Sequence, residues 1–192
     1  MTLPVRVLVP LADGFEEIEA VTIIDVLRRA ELEVVVAGLK PGAVTGSHGI
    51  TLQPDVELGA VDPAGLHAVV LPGGMPGTTH LAEDERVLEI VRILHAGGRP
   101  VAAICAAPLV LAAAGIADGV PVTSHPSVRG RLGGADVREG PRVLKSGSVT
   151  TSQGPGTALE FALALVRDML GPRKAAERAA AMVVGAGSET AV

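Results

Sequence analysis

The chain has 192 residues with a single cysteine, a formal net charge of −5, two phenylalanines, and neither tryptophan nor tyrosine. One cysteine excludes an internal disulfide framework, and scattered Lys and Arg with almost no aromatic residues leave nucleic-acid binding without a basic stripe or stacking platforms. No window approaches the ~20 uninterrupted apolar residues of a membrane span, so the expectation is one soluble domain over 1–192 in a reducing cytoplasm, its core built of Val, Leu, Ile and Ala.

The start, "MTLPVRVLVPLADGFEE", reads as a first strand (Val5–Ala12) and not as a leader, because no basic region precedes its short apolar run. Helical spacing of apolar residues follows over Glu17–Ala30, then a strand over Glu33–Leu39. "VTGSHGITL" (Val44–Leu52) fits a hairpin turning at Ser47–Gly49. His67–Gly74 is a third buried strand cut off by Pro-Gly-Gly, Arg86–Gly98 a helix closed by glycines, and Pro100–Cys105 a fourth strand. "APLVLAAAG" places a proline early in a helix and a glycine at its end. A short strand is predicted over Val120–Pro126 and a hairpin over Pro141–Gln153 with its turn near Ser146 and Gly147. Helices are predicted over Gly156–Leu170 and Arg173–Val184, ahead of a flexible tail, Gly185–Val192.

Buried strands alternating with helices imply right-handed crossovers and a doubly wound, mostly parallel sheet sandwiched between helices. Ligands in such sheets bind beyond the carboxyl ends of the strands, where strand order reverses. Three chemical features fall at such ends: "DGFEEIE" after the first strand, "PGGMPG" after the third, and Cys105 after the fourth.

Each has two readings. Cys105 stands at a strand-to-helix turn, where helix-start N–H groups favour a thiolate with a pKa below ~8.5; position alone favours a buried, inert cysteine. Glu19 sits among Glu16 and Glu17 at a helix start, where acids complement the dipole, yet a first-turn position could aim its carboxyl into the cleft. An ionised Glu would repel a thiolate, so a Glu19–Cys105 contact makes sense mainly if the pair shares a proton. "LPGGMPG" supplies backbone N–H groups of the kind an oxyanion site requires, and is equally an ordinary turn. His125 in "TSHP" could act as a base near the thiol or be a loop residue. "QGPGT" (Gln153–Thr157) reads as an anion nest or a plain cap.

Taken together, "GFEEIE", "VVVAGL", "VVLPGG", "AAICAAP", "TSHP" and "GPGTALEFALALV", in this order and spacing, resemble the Parkinson disease protein 7/PfpI superfamily, which includes protein deglycases and glyoxalase III enzymes. The resemblance runs from about Val5 to Val184. It implies a flavodoxin-like α/β fold and a homodimer, with no cofactor or metal. It also implies that Cys105 is the reactive elbow cysteine, Glu19 its protonated partner and His125 the nearby histidine, with Gly73, Gly74 and Ala106 contributing the oxyanion donors. The peptidase branch carries a histidine directly after the cysteine, where this chain has Ala106. Deglycase-type relatives often carry arginines where Gln153 and His48 align, at an anion-holding site.

The function so implied is a cofactor-free cysteine enzyme that converts small α-oxoaldehydes such as methylglyoxal to hydroxy acids, or removes their protein adducts. The alternatives are a redox sensor or stress chaperone, whose Cys105 stops at sulfinate, and a hydrolase of the PfpI type.

Overall fold

The computed structural model describes residues 5–185. In chain order its regular elements are β1 (Arg6–Leu11), α1 (Glu17–Arg29), β2 (Glu33–Gly38), β3 (Val44–Thr45), β4 (Thr51–Leu52), β5 (Val56–Glu57), β6 (Ala68–Leu71), α2 (Gly77–Glu83), α3 (Glu85–Ala96), β7 (Val101–Ile104), α4 (Pro108–Ala113), β8 (Pro121–Val122), β9 (Asp136–Val137), β10 (Val143–Ser146), β11 (Val149–Ser152), α5 (Ala158–Leu170) and α6 (Pro172–Ala181). Seven strands form one sheet in the order β10-β11-β7-β6-β1-β2-β5, parallel except at the β10 edge. The fold is the expected doubly wound α/β sandwich, a single domain.

The strands read as continuous apolar runs because both faces of the sheet are covered. Within β1, Val7, Val9 and Leu11 join one core while Leu8 joins the other, and Ala102 with Ile104 alternates with Val101 and Ala103 in β7 in the same way. Helices α1 and α5 cover the first face, with both phenylalanines, Phe15 and Phe161, fully buried there; α2, α3 and α4 cover the second. Alanines in β7 let helices approach the sheet closely despite the shortage of aromatic volume.

Chain direction across the sheet reverses between β1 and β6. From β1 the chain crosses to β2 on one side, then returns to place β6 on the other. The carboxyl ends of β1, β6 and β7 therefore open onto one crevice.

Both hairpins form where expected. The strand predicted over Val120–Pro126 forms only at Pro121–Val122, paired with β9, because the Thr123 N–H turns instead to the Thr151 hydroxyl at 2.9 Å. The strand predicted to reach Gly74 ends at Leu71, and α2 begins six positions later, in a glycine-containing stretch without a helical pattern of its own. The tail beyond Gly185 lies outside the described residues.

Candidate active site

Cys105 directly follows β7 with φ +65°, in the left-handed region that costs a side-chain-bearing residue roughly 1–2 kcal/mol. Three hydrogen bonds hold it there: Cys105 N–H donates to Ser152 O, His125 N–H donates to Cys105 O, and Ala107 N–H closes the turn onto Ile104 O, each at 2.9 Å. This strained strand-to-helix elbow lifts the sulfur out of the sheet plane, and the thiol is half-buried.

Glu19, in the first turn of α1, has no solvent exposure. Gly73 N–H donates to its Oε2 at 2.8 Å, while Oε1 is buried without a hydrogen-bond partner among the described residues. The carboxyl lies within hydrogen-bonding reach of the Cys105 thiol. Gly73 is the hinge of this arrangement: a Cβ there would lie 2.6 Å from Cys105 Cβ and 2.7 Å from Glu19 Oε2. Gly74, at φ +93°, packs its Cα against the Gly14–Glu16 backbone and keeps its N–H toward the sulfur.

Burial raises the Glu19 carboxyl to about 7, with the nearby Glu16 charge adding to it against the hydrogen bonds from Cys105 and Gly73. Burial also pushes the Cys105 thiol up to about 12, helped by the charge and hydrogen bond of Glu19 and opposed by the N–H groups of Ala106 and Gly74. A thiol depressed by the helix start is therefore not what the structure shows: α4 begins only at Pro108 and runs six residues, too short and too distant to outweigh burial. The higher value belongs to removal of the second proton, with Glu19 already charged; between the two the pair carries one negative charge and one proton, which either residue can hold. When Glu19 holds it, the sulfur is a thiolate facing two N–H donors.

His125 reaches the same gap from the far side. A Cβ on Gly154 would lie 3.5 Å from His125 Cδ2 and 4.0 Å from Cys105 Sγ, so both line the space beside that glycine. No hydrogen bond joins the imidazole to the thiol among the described residues, and its Nδ1 is engaged by Ser127.

Three expected members are used differently. Gly73 cannot serve an oxyanion, because its N–H is committed to Glu19; the free donors are Gly74 and Ala106. Gln153 turns its amide to the carbonyls of Glu139 and Pro141, at 2.8 and 2.9 Å, bracing a loop instead of presenting donors to an anion. His48, largely exposed, gives Nδ1 to Glu17 Oε2 at 3.0 Å and Glu16 Oε2 at 3.3 Å. Burial alone would raise Glu17, but His48 Nδ1 and the N–H groups of His48 and Ile50 outweigh it and hold the carboxyl at about 2. This cluster anchors the β3–β4 turn to α1. Gly154 and Ser127 carried no signal of their own in the sequence beyond membership of "QGPGT" and "TSHP".

A family model, the DJ-1/PfpI family, matches residues 5–168. The chain belongs to the DJ-1/PfpI family. Protein dj-1beta of Drosophila melanogaster is 42% identical over 179 residues, 92% of this chain and 96% of that protein. Its crystal structure superposes with a TM-score of 0.92, covering 95% of this chain and 99% of that one at 41% identity. The oxidized DJ-1 of Toxoplasma gondii superposes at 0.90 with 37% identity, covering 94% and 99%. The glutathione-independent glyoxalase DJR-1.2 of Caenorhabditis elegans is 39% identical over 170 residues, 88% of this chain and 89% of that protein. These matches extend through the Cys105, Glu19 and His125 segments, so this DJ-1/PfpI chain shares more than a sheet topology with its relatives.

Proposed function

We propose that the protein is a cofactor-independent glyoxalase acting on small α-oxoaldehydes, or a deglycase acting on their protein adducts, in a reducing compartment such as the cytoplasm. The observation that carries this reading is the buried Glu19–Cys105 pair, in which a carboxyl raised to about 7 shares one proton with a thiol faced by two N–H groups. The relative named a glutathione-independent glyoxalase supports it.

The Cys105 thiolate attacks the aldehyde carbon of methylglyoxal, forming a C–S bond while the carbonyl electrons move to oxygen. That oxygen takes a proton, giving a hemithioacetal, and the N–H groups of Gly74 and Ala106 stabilise the developing charge. Glu19, having given that oxygen its proton, takes the C1 proton as a carboxylate and delivers it to C2 while the C1 hydroxyl proton passes to the C2 oxygen, leaving a 2-hydroxy thioester. Water cleaves the C–S bond, releasing lactate and restoring the thiol, with no net redox change. A positioned proton carrier contributes on the order of 10² to 10⁴ in rate, and each oxyanion donor on the order of 10² to 10³. Lactate formation measured with Cys105→Ala and Glu19→Gln tests the mechanism: both are expected to be inactive, and full activity in either overturns it.

A sensor reading draws on the same donors. A sulfinate at Cys105 would place its oxygens against the Gly74 and Ala106 N–H groups and a protonated Glu19, and mild peroxide followed by mass spectrometry detects it as a gain of two oxygens. Peptidase chemistry of the PfpI kind lacks its histidine, since buried Ala106 follows the cysteine. The unit that acts is a homodimer in this proposal, supported by the apolar face that exposed Ile18 and Val21 of α1 and Ile50 of the β3–β4 turn contribute.

A further inference from the structure

His125 caps the short turn Pro126–Arg131, and its side chain does so through Nδ1. Ser127 N–H donates to Nδ1 at 3.3 Å, and Ser127 Oγ lies 2.8 Å from the same nitrogen. A backbone N–H can be given only to a nitrogen lone pair, so Nδ1 carries no proton here and the ring proton of neutral imidazole resides on Nε2. The Ser127 hydroxyl, next to an acceptor, donates as well.

The ring is fixed at its base too, since His125 N–H is bonded to Cys105 O at 2.9 Å. The atom beside Nε2, Cδ2, lies on the Gly154 side that Cys105 Sγ also borders. The Cδ2–Nε2 edge of the ring thus borders the space beside Gly154 that the sulfur also borders, while the Nδ1 lone pair that could accept a proton is engaged by Ser127.

We propose that Ser127 is a positioning residue that fixes His125 as an Nε2–H donor, so that His125 gives a hydrogen bond to an oxygen of the substrate held on Cys105 and does not act as a base. The assignment rests on the oxoaldehyde reading for its catalytic consequence, and of the roles open to His125 it selects a donor over a base near the thiol. Glu19 is left as the group that moves protons.

Long-range proton–nitrogen correlation NMR on the ¹⁵N-labelled full chain reads the tautomer directly and does not depend on turnover. The neutral His125 ring is expected to carry its proton on Nε2; a proton on Nδ1 overturns the proposal. Methylglyoxal turnover then separates donor from base. Glutamine donates but cannot act as a base, so His125→Gln should lose less than about tenfold where His125→Leu loses about 10²-fold, the scale of one oxyanion donor; equal losses overturn the donor role. Ser127→Ala should lower kcat about fivefold, the scale of one hydrogen bond, with KM little changed and Ser127→Thr restoring it. Equal turnover in all three proteins overturns the positioning role. A wild-type protein with no aldehyde turnover but an Nε2 proton would instead refute the glyoxalase reading and leave the tautomer standing.

Discussion

Gly73 donates its N–H to Glu19 Oε2 at 2.8 Å, and a Cβ on the same glycine would overlap Cys105. One residue thus orients the carboxylate and leaves the space that lets it approach the thiol. Gly73→Ala is expected to lower turnover by more than 10²-fold while costing about 1–3 kcal/mol of stability, the usual range for overpacking. Chemical denaturation alongside lactate assays checks both; a fully active, equally stable variant contradicts the packing.

Stability should depend on pH through Glu19 with a definite sign. Its carboxyl is raised from 4.5 to about 7 in the folded protein, so between these values the folded state holds a proton that the unfolded chain has released. The contribution is fully present below 4.5 and is lost as pH rises through about 7, on the order of 1–3 kcal/mol. Denaturation series should show wild type losing stability over this window relative to Glu19→Gln; parallel profiles would refute the raised carboxyl.

Thiol chemistry should follow the pair and not an isolated cysteine. Alkylation of Cys105 by iodoacetamide, followed by mass spectrometry, is expected to accelerate as pH passes about 7, where the pair loses its first proton, and then to level off well below 12. Glu19→Gln removes the neighbouring charge, so the thiol should titrate below 12 but, still buried, above 9. A single wild-type rise near 9 would contradict proton sharing.

Glu17 works in the opposite sense from Glu19. Held at about 2 by His48 and the N–H groups of His48 and Ile50, its stabilisation is present above 4.5 and lost as pH falls through about 2. Glu17→Ala leaves those N–H groups without an acceptor and should cost about 1–3 kcal/mol. Hydrogen exchange at His48 and Ile50 should accelerate with it, and unchanged protection would argue against the anchor.

The apolar face makes a prediction about assembly. Ile18→Asp with Ile50→Asp puts charge on two exposed positions outside both cores of the protomer, at 58% and 56% exposure. Sedimentation should report a dimer for wild type and a monomer for the double variant, with unfolding of the monomer still cooperative. A wild-type monomer would refute the homodimer.

The alternation of apolar strands with amphipathic helices was enough to read the doubly wound sheet, because a strand covered on both faces must be apolar throughout. The positions of Cys105 just after a strand and of Glu19 in the first turn of the helix that follows β1 were legible for the same reason. Helix α2 was not, since its glycine, two threonines and histidine have weak helical preference and it forms because Thr78 and Leu81 are buried, Leu81 in the core beneath α2, α3 and α4.

What the sequence by itself determined is therefore the layer order, the crevice and the segments that meet there, since burial pattern and chain connectivity decide these. Proton affinities and hydrogen-bond partners were decided only by the tertiary structure. Burial and Glu19 raise a thiol that its local turn would have lowered. Gly73 is committed to Glu19, Gln153 to the Glu139–Pro141 loop, and His125 Nδ1 to Ser127. Each of these depends on which groups lie within about 3 Å in space, and on how much water is left between them, which neighbours along the chain do not specify.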